Sequence, residues 1–143
     1  MAAKPVLFTL GYEGRELDEL IALLHANRVE CVIDIRELPL SRRRGFSKTP
    51  LGTALRAAGI DYVHMKSAGN PYRREKDRIP REQLLAKYQR HIAKADQVVA
   101  EVAATARGRR AALLCYEADP HECHRSLLAP RVARTLRARI EDL

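Results

Sequence analysis

Residues 29–35 read VECVIDI, a run of β-branched and apolar residues that predicts a buried β-strand. Upstream of this run, leucine and isoleucine recur at helical spacing and predict a helix from about Glu16 to Asn27. Before that helix, the short apolar run from Val6 to Leu10 ends at a glycine and predicts another strand. The first third of the chain therefore follows a strand–helix–strand pattern.

The same pattern continues downstream of residues 29–35. Ser47 or Thr49 is suited to cap a helix with Pro50 in its first turn, and Gly59 is suited to end it. Residues 60–65 (IDYVHM) then predict a third strand.

The remaining half of the chain adds a loop, two helices and a strand. A polar, arginine-rich loop covers residues 66–79, and a sustained apolar stripe predicts one long helix from about Arg81 to Arg107. Residues 111–116 (AALLCY) predict a fourth strand, and a last helix is expected within residues 124–143. Pro130 predicts a kink there, or a short turn before the main helix.

Strand and helix thus alternate four times. Apolar strands joined by helices are typical of a mostly parallel sheet that is buried on both faces. We therefore predict a single compact α/β domain over residues 1–143, with about four or more strands flanked by helices. The order of the strands cannot be read from this pattern.

Composition narrows the class of protein. The 143 residues are 46% hydrophobic, which excludes a disordered chain. No apolar run approaches a membrane span, and the N-terminus does not resemble a signal peptide, so we expect a cytoplasmic protein without a membrane partner. The three cysteines are then expected to be reduced.

The net charge of +8 suits an anionic partner, either a small molecule or the phosphates of a nucleic acid. A well-solvated basic surface explains the same charge equally well. The two phenylalanines and the absence of tryptophan argue against nucleic-acid binding by aromatic stacking.

Ligands of parallel α/β sheets bind at the carboxyl ends of the strands, and the unusual residues of this chain follow strand ends. Residues 11–14 (GYEG) follow the first strand; their amides are suited to an anion, although an ordinary tight turn explains them as well. The candidate substrate-binding residues here are Gly11, Tyr12, Glu13 and Gly14.

The second strand ends in Asp34 and Arg36, which point to the same face of a strand. They form either a structural ion pair or a base and an anion-binding group. Ser41, Arg42 and Arg43 follow in a basic loop, where arginine forks match phosphate oxygens.

The fourth strand leads into the segment richest in reactive residues. Cys115 is either a buried small hydrophobe or part of the site, and Glu117 is either a general acid–base or the ionic partner of Arg125. Cys123 and His124 precede a predicted helix, where a thiol favours its thiolate form, and Arg125 adds positive charge for an anion. We expect Cys123 to be more accessible than Cys115.

The spacing of the cysteines, histidines and Arg125 can be compared with the known motifs of zinc sites and of cysteine phosphatases. Cys115, His121, Cys123 and His124 are zinc-type ligands, but their spacing matches no standard zinc motif, so we predict no metal ligand. A cysteine followed six residues later by arginine, as in cysteine phosphatases, is also absent.

Four stretches together resemble the domain-of-unknown-function 488 family: TLGYEGR from Thr9, VIDIRELPLSRRRGFSK from Val32, AGIDYVHMKSAGN from Ala58 and LLCYEADPHECHRSLLA from Leu113. The last stretch is the most specific. The resemblance implies a small cytoplasmic α/β domain and no settled activity.

The residues themselves favour an enzyme that acts on an anionic, phosphate- or nucleotide-containing substrate. Arg36, Arg42, Arg43 and Arg125 would hold the anion, with Ser41 and Cys115 beside it. Asp34, Glu117, Cys123 and His124 are the catalytic candidates. The alternative is a non-catalytic basic module that binds nucleic acid or a protein. The sequence indicates neither a cofactor nor an oligomeric state.

Overall fold

The computed structural model describes residues 4–143, and in this part of the chain five parallel strands form one sheet. The strands are β1 (Val6–Gly11), β2 (Cys31–Asp34), β3 (Asp61–His64), β4 (Ala111–Cys115) and β5 (Arg139–Asp142), in the spatial order β3-β2-β4-β1-β5. The helices are α1 (Leu17–Ala26), α2 (Lys48–Ala57), α3 (Arg81–Ala93), α4 (Asp96–Ala106) and α5 (Arg125–Leu136). The predicted α/β fold with a parallel sheet and flanking helices is confirmed.

The helices divide between the two faces of the sheet. One hydrophobic core joins α1 and α2 to one face, and a second joins α3, α4 and α5 to the other. Alternate residues of β4 enter opposite cores: Ala112 and Leu114 pack toward α1 and α2, whereas Leu113 and Cys115 pack toward α3, α4 and α5. Strands β1, β2 and β4 are therefore covered on both sides, as their apolar sequences predict.

The predicted long helix is wrong, because the chain breaks between Ala93 and Asp96 into α3 and α4. The apolar stripe belongs to two helices, with Tyr88 buried in α3 and Val102 buried in α4. Neither glycine nor proline marks the break. The local signal is Asp96, since an acidic residue favours the first turn of a helix.

The end of the chain also differs from the prediction. Helix α5 begins at Arg125 and runs through Pro130 to Leu136, so the proline does not divide it. A short 3₁₀ turn lies further upstream, at Pro120–Glu122. After Arg137, which ends α5 in a left-handed conformation, β5 pairs with β1 at the edge of the sheet. Its sequence, RIED, has one large apolar residue, so periodicity gave no signal for a strand.

Among residues 4–143, no helix is both long enough and apolar enough to pass through a lipid bilayer.

Candidate functional site

A cleft of about 800 Å³ opens at the carboxyl ends of β1, β2 and β4. Strands β2 and β4 are neighbours, but the connections that follow them pass to opposite faces of the sheet, which leaves a crevice between the two strand ends. Tyr12 and Glu117, more than 100 positions apart in sequence, both line this cleft. Residues that follow two different strands of the sheet thus line one pocket.

Gly11 and its neighbours brace the wall of the cleft rather than line it. A Cβ atom at Gly11 would lie 1.8 Å from the carbonyl oxygen of Glu117, so only glycine allows β1 to run so close to that loop. The amide of Glu13 donates to the carbonyl of Tyr116 over 2.8 Å, and the Glu13 carboxylate accepts from the amide of Ala118 over 3.0 Å. Gly11, Glu13 and Gly14 are not among the lining residues, and only Tyr12 of this segment is.

Asp34 and Arg36 form a buried, two-pronged ion pair. The Asp34 carboxylate is fully buried and accepts from Arg36 Nε over 2.9 Å and from Nη2 over 2.6 Å. It also accepts from the hydroxyl of Tyr62 over 2.5 Å. Arg36 Nη1 donates to the carbonyl oxygen of Phe46 over 2.6 Å and to the Tyr12 hydroxyl over 3.4 Å.

These contacts determine which groups of Asp34 and Arg36 remain available to a ligand. Arg36 lines the cleft, but its partners take four of the five guanidinium N–H donors. Asp34 does not line the cleft. Of the two alternatives that the sequence left open, the geometry favours the structural ion pair, which fixes the start of the β2–α2 loop.

The basic loop after β2 contains arginines with two different surroundings. Arg43 Nη1 donates to the carbonyl of Tyr12 over 3.0 Å, and the Arg43 guanidinium lies 4.8 Å from the centre of the Phe46 ring. Ser41 accepts from the Arg43 amide over 3.1 Å and shapes the loop. Arg42 is exposed on the cleft and makes no side-chain hydrogen bond or ion pair with any residue of the described range 4–143. Of the two arginines of this loop that line the cleft, Arg42 is thus the one without a side-chain partner within residues 4–143.

Two thiols and an imidazole meet at the end of β4. His124 Nδ1 lies 3.7 Å from Cys115 Sγ and 3.7 Å from Cys123 Sγ, and the three atoms all lie within 4.8 Å of one another. The other imidazole nitrogen, Nε2, lies 2.9 Å from the carbonyl oxygen of Ile35. All three side chains are buried, but Cys115 and His124 form part of the lining of the cleft.

The accessibility predicted for Cys123 is wrong. Its side chain is 1% exposed, compared with 5% for Cys115. Cys123 precedes α5 by two residues and points into the core between α5 and the sheet, where Tyr88 also lies. Burial raises the pKa of the Cys123 thiol well above its usual range, so the expected effect of the helix end on the thiolate is outweighed.

The Arg125 side chain contacts the backbone carbonyl of Glu117 and forms no ion pair with its carboxylate. Arg125 is fully buried, and its Nη1 donates to the carbonyl oxygen of Glu117 over 2.6 Å, while Nη2 donates to that of Ala118 over 3.2 Å. The Glu117 carboxylate instead lies 3.4 Å from Cys115 Sγ and lines the cleft. Arg125 therefore positions the loop that carries Glu117, and it does not line the cleft that an anion would enter.

Sequence reasoning missed the far wall of the cleft. Arg73, Lys76 and Arg81 face it from the β3–α3 connection and the start of α3. The sequence shows an arginine-rich loop there, but only the fold brings that loop to the same cleft as Arg42. Arg81 pairs with Glu122 across 3.1 Å, whereas the side chains of Arg73 and Lys76 have no hydrogen-bond or ion-pair partner within residues 4–143.

Comparison with curated proteins and with solved structures gave no match for this chain. Comparison with protein-family models gave one, to the family described as "Domain of unknown function DUF488", over residues 16–132. The matched part begins at the N-terminus of α1 and ends within α5, so it contains β2, β4 and most of the cleft lining. The chain therefore belongs to the DUF488 family.

Proposed function

We propose that this protein is an enzyme that acts on an anionic organic substrate, a phosphate ester or a nucleotide, in the cleft at the carboxyl edge of the sheet. The observation that carries the proposal is the combination of two features in one cavity. Cationic side chains without protein partners form its rim, and a thiol–imidazole–carboxylate cluster forms its base.

The rim supplies the charge for an anion. Arg42 approaches from the β2–α2 loop, and Arg73 and Lys76 approach from the β3–α3 connection. An anion between these two loops would gain charge-assisted hydrogen bonds from both sides. Arg36, Arg43 and Arg125 hold the loops in place, because each of them donates to a backbone carbonyl of these loops or of the segment beside them.

The cleft also offers an apolar surface. Leu38, Leu40 and Tyr116 line it and are 44%, 65% and 44% exposed. Small-molecule sites combine apolar walls with a few polar groups that fix orientation. A substrate that joins a phosphate to a flat or apolar group, as a nucleotide does, would use both parts of the cleft.

The base of the cleft supplies groups for chemistry. Glu117 is half-buried beside Cys115, in a position suited to a general acid or base. His124 and Cys115 are the other reactive groups in the lining, and Cys123 lies behind them. A non-catalytic phosphate-binding module, the alternative, would gain nothing from a carboxylate and a buried cluster beneath its basic rim.

Phosphate and sulfate should raise the melting temperature of the protein more than sodium chloride of equal ionic strength does, because they bind the native state. The Arg42→Ala/Arg73→Ala variant should lose this difference. The Arg44→Ala/Arg74→Ala variant is the matched control, since it removes the same charge from the same two loops at residues that do not line the cleft. An equal loss in both variants would refute an anion site in the cleft.

Turnover is tested with a panel of nucleotides and phosphate monoesters, followed by product analysis. Glu117→Gln should keep the phosphate-dependent stabilisation and lose turnover of any substrate found. If no member of the panel is turned over while binding persists, the basic binding module becomes the better description.

A further inference from the structure

We propose that Cys115, Cys123 and His124 bind a thiophilic divalent metal ion, zinc in the first instance. The ligand atoms are the two Sγ atoms and His124 Nδ1. The fourth coordination position would be open to the cleft. This proposal does not rest on the proposed function, because the metal can be measured without a substrate.

The spacing of the three atoms suits a tetrahedral ion. Zinc lies about 2.3 Å from sulfur and about 2.0 Å from nitrogen, which places tetrahedral sulfur and nitrogen ligands about 3.6 Å apart. The distance from His124 Nδ1 to each sulfur is 3.7 Å, and the three atoms all lie within 4.8 Å of one another. Small side-chain movements would bring all three atoms to bonding distance from one ion.

The surroundings of the cluster orient each ligand. The Ile35 carbonyl, 2.9 Å from His124 Nε2, can only accept, so Nε2 carries a proton and Nδ1, which faces the two sulfurs, is the nitrogen that would hold the metal. Histidines that bind zinc commonly donate their other ring N–H to a carboxylate, a backbone carbonyl or water. The amide of Arg125 donates to Cys123 Sγ over 3.5 Å and helps to fix the position of that sulfur.

The position of the cluster leaves one side of the ion accessible. Cys115 and His124 line the cleft, whereas Cys123 and the ring of Tyr88 close the cluster from the interior. Three protein ligands and an open position are typical of catalytic zinc, which binds water or substrate there. Glu117, near Cys115, is placed beside that open position.

Sequence spacing argued against a metal because the two cysteines are separated by seven residues and no Cys-x-x-Cys pair is present. The structure explains how two cysteines with this spacing come together. The 3₁₀ turn Pro120–Glu122 folds the loop after β4 back on itself, so Cys123 returns beside Cys115.

The first experiment measures the metal in the full chain, purified with reductant and without chelators. We expect close to one equivalent of zinc per chain. After removal with a chelator, added Co²⁺ should give a thiolate-to-cobalt charge-transfer band and the intense visible bands of tetrahedral Co²⁺. The absence of the charge-transfer band would overturn the site.

Variants identify the ligands. Cys115→Ser, Cys123→Ser and His124→Gln should each lower zinc affinity more than about 100-fold, since mutation of groups that only hydrogen-bond to metal ligands already costs about 10–100-fold. Cys31→Ser is the matched control, because Cys31 is also a buried free thiol but is not in the cluster, and it should bind as wild type does. An equal loss in Cys31→Ser would overturn the assignment.

Two further measurements need no destabilising variant. In the wild-type protein, one equivalent of Zn²⁺ should protect Cys115 and Cys123 from alkylation, mapped by mass spectrometry, and leave Cys31 unaffected. Glu117→Gln should retain zinc; if it does not, Glu117 is a fourth ligand and the open position is wrong. A Cys115–Cys123 disulfide that forms in reduced protein on exposure to air even with Zn²⁺ present would also overturn the site.

Discussion

The main chain of Gly11 passes beneath the carbonyl of Glu117 so closely that a Cβ atom at position 11 would lie 1.8 Å from that oxygen. The same atom would lie 2.5 Å from the Glu117 carbonyl carbon. Since both obstacles are backbone, no side-chain movement relieves the contact. The end of β1 and the loop that carries Glu117 can therefore pack this closely only because residue 11 has no side chain.

Gly11→Ala should lower the free energy of unfolding by about 3 kcal/mol, because the loop after β4 must shift to admit the methyl group. Urea unfolding measures the change. Gly14→Ala is the control, since a Cβ atom there meets nothing within 4 Å and the cost is only that of a left-handed φ of +75°, about 1–2 kcal/mol. Equal costs for the two variants would contradict the close approach.

Asp34→Asn should be among the most destabilising single changes in the chain. It leaves the guanidinium of Arg36 buried without its carboxylate, and removing one partner of a buried ion pair costs about 3–5 kcal/mol. The exposed pair between Arg139 and Glu141 is the control, so Glu141→Gln should cost less than about 1 kcal/mol. Urea unfolding compares the two, and a small effect of Asp34→Asn would show that the buried pair adds little to stability.

The chemistry of Tyr62 makes the protein sensitive to alkaline pH. Burial raises the pKa of the Tyr62 phenol, and the negative charge of Asp34 raises it further. Above about pH 10 the unfolded chain loses this proton while the folded chain keeps it, so stability falls as the pH rises. This one group contributes a slope of up to about 1.4 kcal/mol per pH unit.

Tyr62→Phe should remove that part of the slope, in addition to a pH-independent loss of about 1 kcal/mol for the hydrogen bond to Asp34. Unfolding in urea from about pH 9 to 11 measures it. Tyr116→Phe, which removes an exposed phenol, is the control variant. If Tyr62→Phe and wild type lose stability at the same rate, Tyr62 titrates in the folded protein.

The four strands that the sequence predicts are those whose apolar pattern lies within the strand itself. Residues 111–115 are all buried and apolar, and a run of this kind needs no knowledge of the rest of the chain. Strand β5 was missed because its exposed residues gain their conformation from pairing with β1. The order of the strands depends on which connections cross the sheet, and no local pattern encodes that.

The sequence predicted which candidate residues lie at strand ends, but it did not predict the contacts that these residues make. The sequence placed Glu117, Cys115 and Tyr12 at strand ends, and the parallel sheet brought them together. It could not show that Arg125 would bind backbone carbonyls, because that contact depends on the path of residues 117–118. Nor could it show that Arg73 and Lys76 would face Arg42, since the loops meet only in three dimensions.

The last prediction concerns the three thiols in reduced, metal-free protein, where the structure reverses the expected order of Cys115 and Cys123. Cys115 is 5% exposed and lines the cleft, whereas Cys123 is 1% exposed and Cys31 is fully buried. A reagent that enters the cleft meets Cys115 without unfolding of the protein, but it reaches Cys123 only when α5 opens from the sheet. Local opening has a free-energy cost, so Cys115 should be alkylated by iodoacetamide at least about tenfold faster than Cys123. Quenched samples analysed by peptide mass spectrometry give the three rates, with Cys31 as the internal standard for a thiol that reacts only on unfolding. Faster modification of Cys123 than of Cys115 would show that the start of α5 opens readily and that the thiol cluster is not held as the structure has it.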